Sequence, residues 1–130
     1  FFLMKILIID DEAIFRMMIE SFLDREGHDL VFAENGEEGI KKARVHQPGL
    51  ILLDGKMPGI SGFRTCMLIR KDTKIKNIPI IMLTALDKVG DVEDAFKAGA
   101  DEYIAKPIEA NTFVSILNRK YKRIVGNRPI

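Results

Sequence analysis

Five apolar runs divide the chain, and between them apolar residues recur at helical spacing. Lys5 to Ile9 (KILII) is a continuous aliphatic run of the kind that forms a strand buried on both faces. The following EAIFRMMIESFLDREG sets Phe15, Met18, Ile19 and Phe22 along one helical face, with Gly27 as its stop. DLVFAE reads as a second short strand. NGEEGIKKARVHQ reads as a second helix, with Asn35 able to cap its first turn and Pro48 beyond its end. LILL is the third strand, and Gly62 to Thr73 predicts a third helix built on Phe63, Cys66, Met67 and Arg70. IPIIML is the fourth strand, with Pro79 near its beginning, where a missing N–H does least harm. VGDVEDAFKAGA predicts a fourth helix using Val89, Val92 and Phe96, and DEYIA a fifth strand. A last helix starting near Glu109 carries Phe113, Ile116, Leu117, Tyr121 and Ile124 on one face.

Strand and helix therefore alternate five times through short connections. That order predicts an α/β fold with a parallel sheet and helices on both faces, because right-handed crossovers place each helix over the sheet. The 130 residues suit one domain with one real core. No linker, repeat or low-complexity stretch divides them.

Composition removes several alternatives. Twenty Lys and Arg nearly cancel 19 Asp and Glu, so no general electrostatic case exists for nucleic acid or membrane binding. The basic NRKYKR, residues 118–123, suits the C-terminal end of a helix and its macrodipole. The single Cys66 excludes an internal disulfide and points to a reducing compartment, the cytoplasm; it reads as core packing. His28 and His46 lack partners at zinc-ligand spacing. FFLMKILII is too short to span a bilayer and lacks a basic leader. Met4 looks like a natural start, which would make Phe1 to Leu3 a cloning remnant or extension, with VGNRPI a frayed tail or the start of a linker.

Chemistry gathers at the ends of the strands. The first ends in Asp10 and Asp11, the third in Asp54, the fourth in Thr84 and the fifth in Lys106. Sites in open parallel sheets lie outside the carboxyl ends of the strands, so all five groups would converge on one edge. Three close carboxylates raise one another's pKa unless a cation intervenes. Mg²⁺ fits, with Mn²⁺ as a substitute, because a hard ion takes carboxylate and phosphate oxygens together. Lys106 and Thr84 suit phosphoryl oxygens, and Asp54 can attack phosphorus to form an acyl phosphate. Any one of these residues alone would be an ordinary loop residue or cap; the joint placement is what indicates a site.

At these residues the chain resembles the receiver domain of bacterial two-component response regulators, in its chemotaxis-receiver-like form. ILIIDDE, LILLDGKMPGISG, IPIIMLTA and GADEYIAKP stand in the family's order and spacing over Met4 to Ile124. The resemblance implies a flavodoxin-like, doubly wound three-layer sandwich, with five parallel strands in the order 2-1-3-4-5 and five surrounding helices. It implies Asp54 as phosphoacceptor, with Asp10, Asp11, Asp54 and the Lys56 backbone carbonyl as metal ligands. Thr84, the Ala85 amide and Lys106 would hold the phosphoryl oxygens. Thr84 and Tyr103 would form the switch, although by pattern alone Tyr103 is an ordinary strand aromatic. The Lys106–Pro107 bond would be cis. Phe15, with Ile108 in the loop after the fifth strand, would face a sensor histidine kinase or a histidine phosphotransfer protein. The family implies a signalling switch rather than an enzyme with a free substrate, and a homodimer formed on phosphorylation. Nucleic acid would be met only through an output domain outside this chain.

Three positions depart from the family pattern, and a fourth lies where the family tunes phosphoryl lifetime. Gly49 replaces an acidic residue at the cost of a loop contact. Gly55 and Lys56 stand where bulkier and less basic residues are common, and the Lys56 ammonium is expected to lower metal affinity or alter phosphoryl lifetime. Leu86, two residues after Thr84, offers nothing to orient water and predicts slow hydrolysis. Two other functions fit less well. A hydrolase using Asp54 would want a second carboxylate where Lys56 stands, and a flavin or nucleotide carrier would want a glycine-rich phosphate loop that is absent.

Overall fold

The computed structural model describes residues 3–85 and 90–128. The elements alternate as β1 (Lys5–Ile9), α1 (Ala13–Asp24), β2 (Asp29–Ala33), α2 (Gly36–His46), β3 (Leu50–Asp54), α3 (Gly62–Lys71), β4 (Ile80–Thr84), α4 (Asp91–Ala98), β5 (Glu102–Ala105) and α5 (Ala110–Gly126). All strands run parallel in the order β2-β1-β3-β4-β5, the flavodoxin-like arrangement.

Burial follows strand position. β3 and β4 are buried at every residue, and β1 at all but Lys5, because each has a neighbour on both sides and helices on both faces. The edge strands β2 and β5 are only half-buried. Alternate residues supply two cores. Leu7, Ile9, Ile51, Leu53, Ile80 and Met82 face one side and pack with α2, α3 and α4 through Ala43, Cys66, Ile69 and Ala95. Ile6, Ile8, Leu50, Leu52, Ile81 and Leu83 face the other and pack with α1 and α5 through Phe15, Ile19, Phe113 and Leu117. Cutting a fully buried residue such as Leu52 to Ala removes about 3 kcal/mol.

Several helix details differ from the sequence reading. Met67 and Phe96, expected on core faces, are exposed at 38% and 44%, while Ile69 and Ala95 beside them are fully buried. α3 stops at Lys71, two residues short of Thr73, because the Asp72 carboxylate accepts the Lys74 N–H at 2.9 Å and the Arg44 Nε at 2.6 Å. α5 runs on through Val125 and Gly126, into the stretch expected to fray. Asn35 caps α2 as expected, accepting the Glu38 N–H at 2.8 Å. Burial pushes the Cys66 thiol up to about 11, in keeping with its role in packing. Val89 and Leu86 lie outside the described residues. Among the described residues, no helix is long and apolar enough to cross a membrane.

Candidate functional site

Parallel pairing in register brings the strand ends level. Ile9 pairs with Leu53, Asp54 with Leu83, and Thr84 with Ala105, so the residues closing the strands share one edge. Asp10 and Asp54 are buried and Asp11 is exposed at the rim. Carboxylate oxygens of the three lie within 4.8 Å of one another, a group able to hold a divalent cation. The Lys106 ammonium stands 3.2 Å from Asp10 Oδ2 and 3.5 Å from Asp54 Oδ1, and 4.0 Å from the centre of the Phe15 ring. The Lys106–Pro107 peptide is cis.

Electrostatics mark the cluster as short of positive charge. Burial first, and then the charge of Asp10, push the Asp54 carboxyl up to about 6, against the opposing pull of Lys106. Burial also raises Asp10, although it accepts the Glu12 N–H at 2.9 Å and a hydrogen bond from Lys106. Oxygen donors whose ionised form is disfavoured in this way suit a hard divalent cation, which restores the charge.

Small residues let the backbone close over Asp54. A Cβ on Gly62 would fall 1.8 Å from the Asp54 carbonyl oxygen, so only glycine allows the start of α3 to approach; its N–H donates to the Gly55 carbonyl at 3.0 Å. A Cβ on Gly55 would lie 2.9 Å from Thr84 Oγ1. The glycine that departs from the family pattern therefore makes room beside the Thr84 hydroxyl. Thr84 is fully buried, and its Oγ1 lies 3.4 Å from the Ala85 carbonyl oxygen. The Lys56 N–H donates to Asp54 Oδ1 at 3.2 Å.

The other named residues sit farther out. Tyr103 is half-buried, its ring edge-on to Phe96 of α4 at 6.0 Å, with the Lys120 ammonium 5.0 Å from its centre. Phe15 and Ile108 are nearly buried and line a shallow apolar groove with Met18, Ala85 and Pro107. Ile14 and Met17 stand exposed on α1. The Lys56 ammonium, expected beside the pocket, pairs with Asp91 Oδ2 at 3.4 Å.

Sequence reasoning missed three supports. Arg16 donates to the Asp10 carbonyl at 2.6 Å and approaches Glu34 at 3.6 Å, bracing the acid cluster from α1. Asp91 is buried at the head of α4. Lys120 and Arg123, from the basic run, pair with Glu102 of β5 at 2.9 and 3.4 Å. The sequence offers one faint signal, an acid at the start of a predicted helix, for Asp91.

Comparison with known proteins agrees with this geometry. A family model described as the response regulator receiver domain matches residues 6–118. The transcriptional regulatory protein ResD of Bacillus subtilis is 43% identical over 110 residues, 85% of this chain and 45% of that protein. Protein PilH of Pseudomonas aeruginosa is 33% identical over 114 residues, 88% of this chain and 94% of that protein. The chain spans 39% to 49% of the length of the transcriptional regulators compared, 45% for ResD and 49% for the ycf27 regulator of Porphyridium aerugineum. The chemotaxis response regulator CheY4 of Vibrio cholerae superimposes with a TM-score of 0.84 at 28% identity, covering 92% of this chain and 99% of that one.

Proposed function

Because the chain belongs to the response regulator receiver domain family, a self-modifying module of bacterial two-component signalling, we propose that Asp54 is its phosphoacceptor. The donor is a phosphohistidine on a sensor histidine kinase or a histidine phosphotransfer protein. One observation carries this reading. A buried carboxyl, raised to about 6, sits within 4.8 Å of two further acids and 3.5 Å from a lysine.

In the proposed reaction an Asp54 carboxylate oxygen attacks phosphorus. The P–N bond to imidazole breaks, its electron pair stays on the ring nitrogen, and an acyl phosphate forms on Asp54. Asp10, Asp11, Asp54 and the Lys56 carbonyl are the proposed holders of Mg²⁺, for which Mn²⁺ would substitute. When bound, the cation neutralises the acids and the incoming phosphoryl oxygens. Lys106 already stands beside Asp54 and would pair with one phosphoryl oxygen, while the Thr84 hydroxyl and the Ala85 N–H would donate to others.

The change would spread through Thr84. Its hydroxyl, turning toward the phosphoryl group, would vacate space that the Tyr103 ring could enter, altering the Phe96 contact and the face formed by α4, β5 and α5. The apolar groove around Phe15 and Ile108 would seat the donor protein beside Asp54. Residues 4–124 would form the receiver. Output would follow from a homodimer or from a domain outside this chain, which alone would meet nucleic acid, in the cytoplasm.

The test is direct. Incubated with Mg²⁺ and acetyl phosphate, the wild type should gain one phosphoryl group, mapped by mass spectrometry to Asp54. Asp54→Asn should gain none. Labelling at another residue, or labelling that EDTA does not diminish, would refute the assignment.

A further inference from the structure

Asp91 is the first residue of α4 and only 5% exposed. A carboxylate is welcome at a helix N-terminus, yet one buried this far also needs a cation, and the Lys56 ammonium stands 3.4 Å away. The other end of Lys56 is rooted in the acid cluster, since its backbone N–H donates to Asp54 Oδ1. The residue whose backbone bonds Asp54 thus carries an ammonium paired with a carboxylate outside the Asp10–Asp11–Asp54 group.

Charge balance gives that pairing a consequence. Three ionised carboxylates beside the Lys106 ammonium leave a double negative charge, which one divalent cation neutralises. A second ammonium folded onto the cluster would cancel half of it and occupy the same oxygens. We propose that Asp91 is a positioning residue for phosphoryl acceptance, holding the Lys56 ammonium away from the acid cluster so that the cation and phosphoryl group enter unopposed. The inference rests on the metal-assisted reading above. It also accounts for a lysine two residues after the acceptor, a place where an unrestrained cation would compete with metal.

Mg²⁺ titration calorimetry on the whole chain tests it, with circular dichroism to verify folding. Asp91→Asn should weaken Mg²⁺ binding on the order of tenfold. Adding Lys56→Met to Asp91→Asn should restore it to within about twofold of wild type, because the displaced ammonium is gone. Asp91→Glu keeps the charge and should fall between wild type and Asp91→Asn, so the test survives if the neutral variant does not fold. No loss in any Asp91 variant overturns the proposal. So does a loss that persists in the double variant, which would mean that Asp91 acts by its own charge or by fixing α4. A wild type that binds no Mg²⁺ removes the metal-assisted reading as well. Wild-type binding lost in Asp11→Asn but untouched in the Asp91 variants removes only the positioning role.

Discussion

At the amino-terminal edge of the sheet, the Asp101 carboxylate accepts the Ile80 N–H at 2.9 Å and Arg70 Nη2 at 2.8 Å, with Arg128 3.6 Å away. Arg70 also donates to the carbonyls of Gly99, Lys76 and Ile78 at 2.7 to 2.8 Å. At the carboxyl edge, Asp54 has one backbone donor at 3.2 Å, shares Lys106 with Asp10, and is pushed up to about 6. Both edges bring charge from distant parts of the chain. The first gives its carboxylate a guanidinium and a backbone donor, and the result fastens α3 to β4 and β5. The second leaves three acids with more negative charge than the described residues answer. That remaining charge suits the binding of a cation, and it separates the candidate site from a structural edge.

Breaking each edge should give opposite outcomes. The largest effect is expected of Asp54→Asn, which should abolish phosphoryl incorporation, read by mass spectrometry, while the domain stays folded. Arg70→Ala should do the reverse. It takes the guanidinium from the Asp101 carboxylate and the side-chain donor from three carbonyls, and should cost about 3 kcal/mol in urea unfolding while the folded protein still accepts a phosphoryl group at Asp54.

The pH dependence sharpens the contrast. The folded pKa of Asp54 lies above its ordinary 3.8, so the native state holds this proton more tightly than the unfolded chain does. Its contribution is therefore greatest below pH 3.8 and is lost as pH rises through about 6. Thermal melts without Mg²⁺ should show a loss of about 3 kcal/mol from this group across that window. Asp54→Asn should abolish the loss, and Mg²⁺ at neutral pH should offset it in the wild type.

The smallest effect is expected at Glu102. Lys120 and Arg123 favour its ionised form, and together they outweigh a burial cost that alone would raise its pKa. Glu102 and Lys120 are mostly buried and Arg123 is exposed, but glutamine keeps a hydrogen-bonding side chain, so Glu102→Gln should cost about 1 kcal/mol by urea titration, with phosphoryl acceptance unchanged. A larger cost would place β5 and α5 with the structural edge rather than between the two.

Much of this molecule can be read in one dimension because its central strands are wet on neither face. β1, β3 and β4 are therefore unbroken aliphatic runs, and Asp10, Asp54 and Thr84 advertise themselves by ending those runs. Helix faces are less legible. A helical period marks an arc of residues but not which edge of it meets the sheet, so Met67 and Phe96 were placed inside while Ile69 and Ala95 do that packing. The long-range ion pairs are not legible at all. Lys56 finds Asp91 across 35 residues, and Arg70 finds Asp101 across 31.

The order of elements, the sheet they form and the residues delivered to its carboxyl edge are already written in one dimension, because they follow from local apolar periodicity and from the handedness of crossovers. Which charges are answered is settled in three. A carboxylate's partner is chosen by proximity in space among many lysines and arginines, and burial, which gives that choice its energetic weight, exists only after the chain has closed around it.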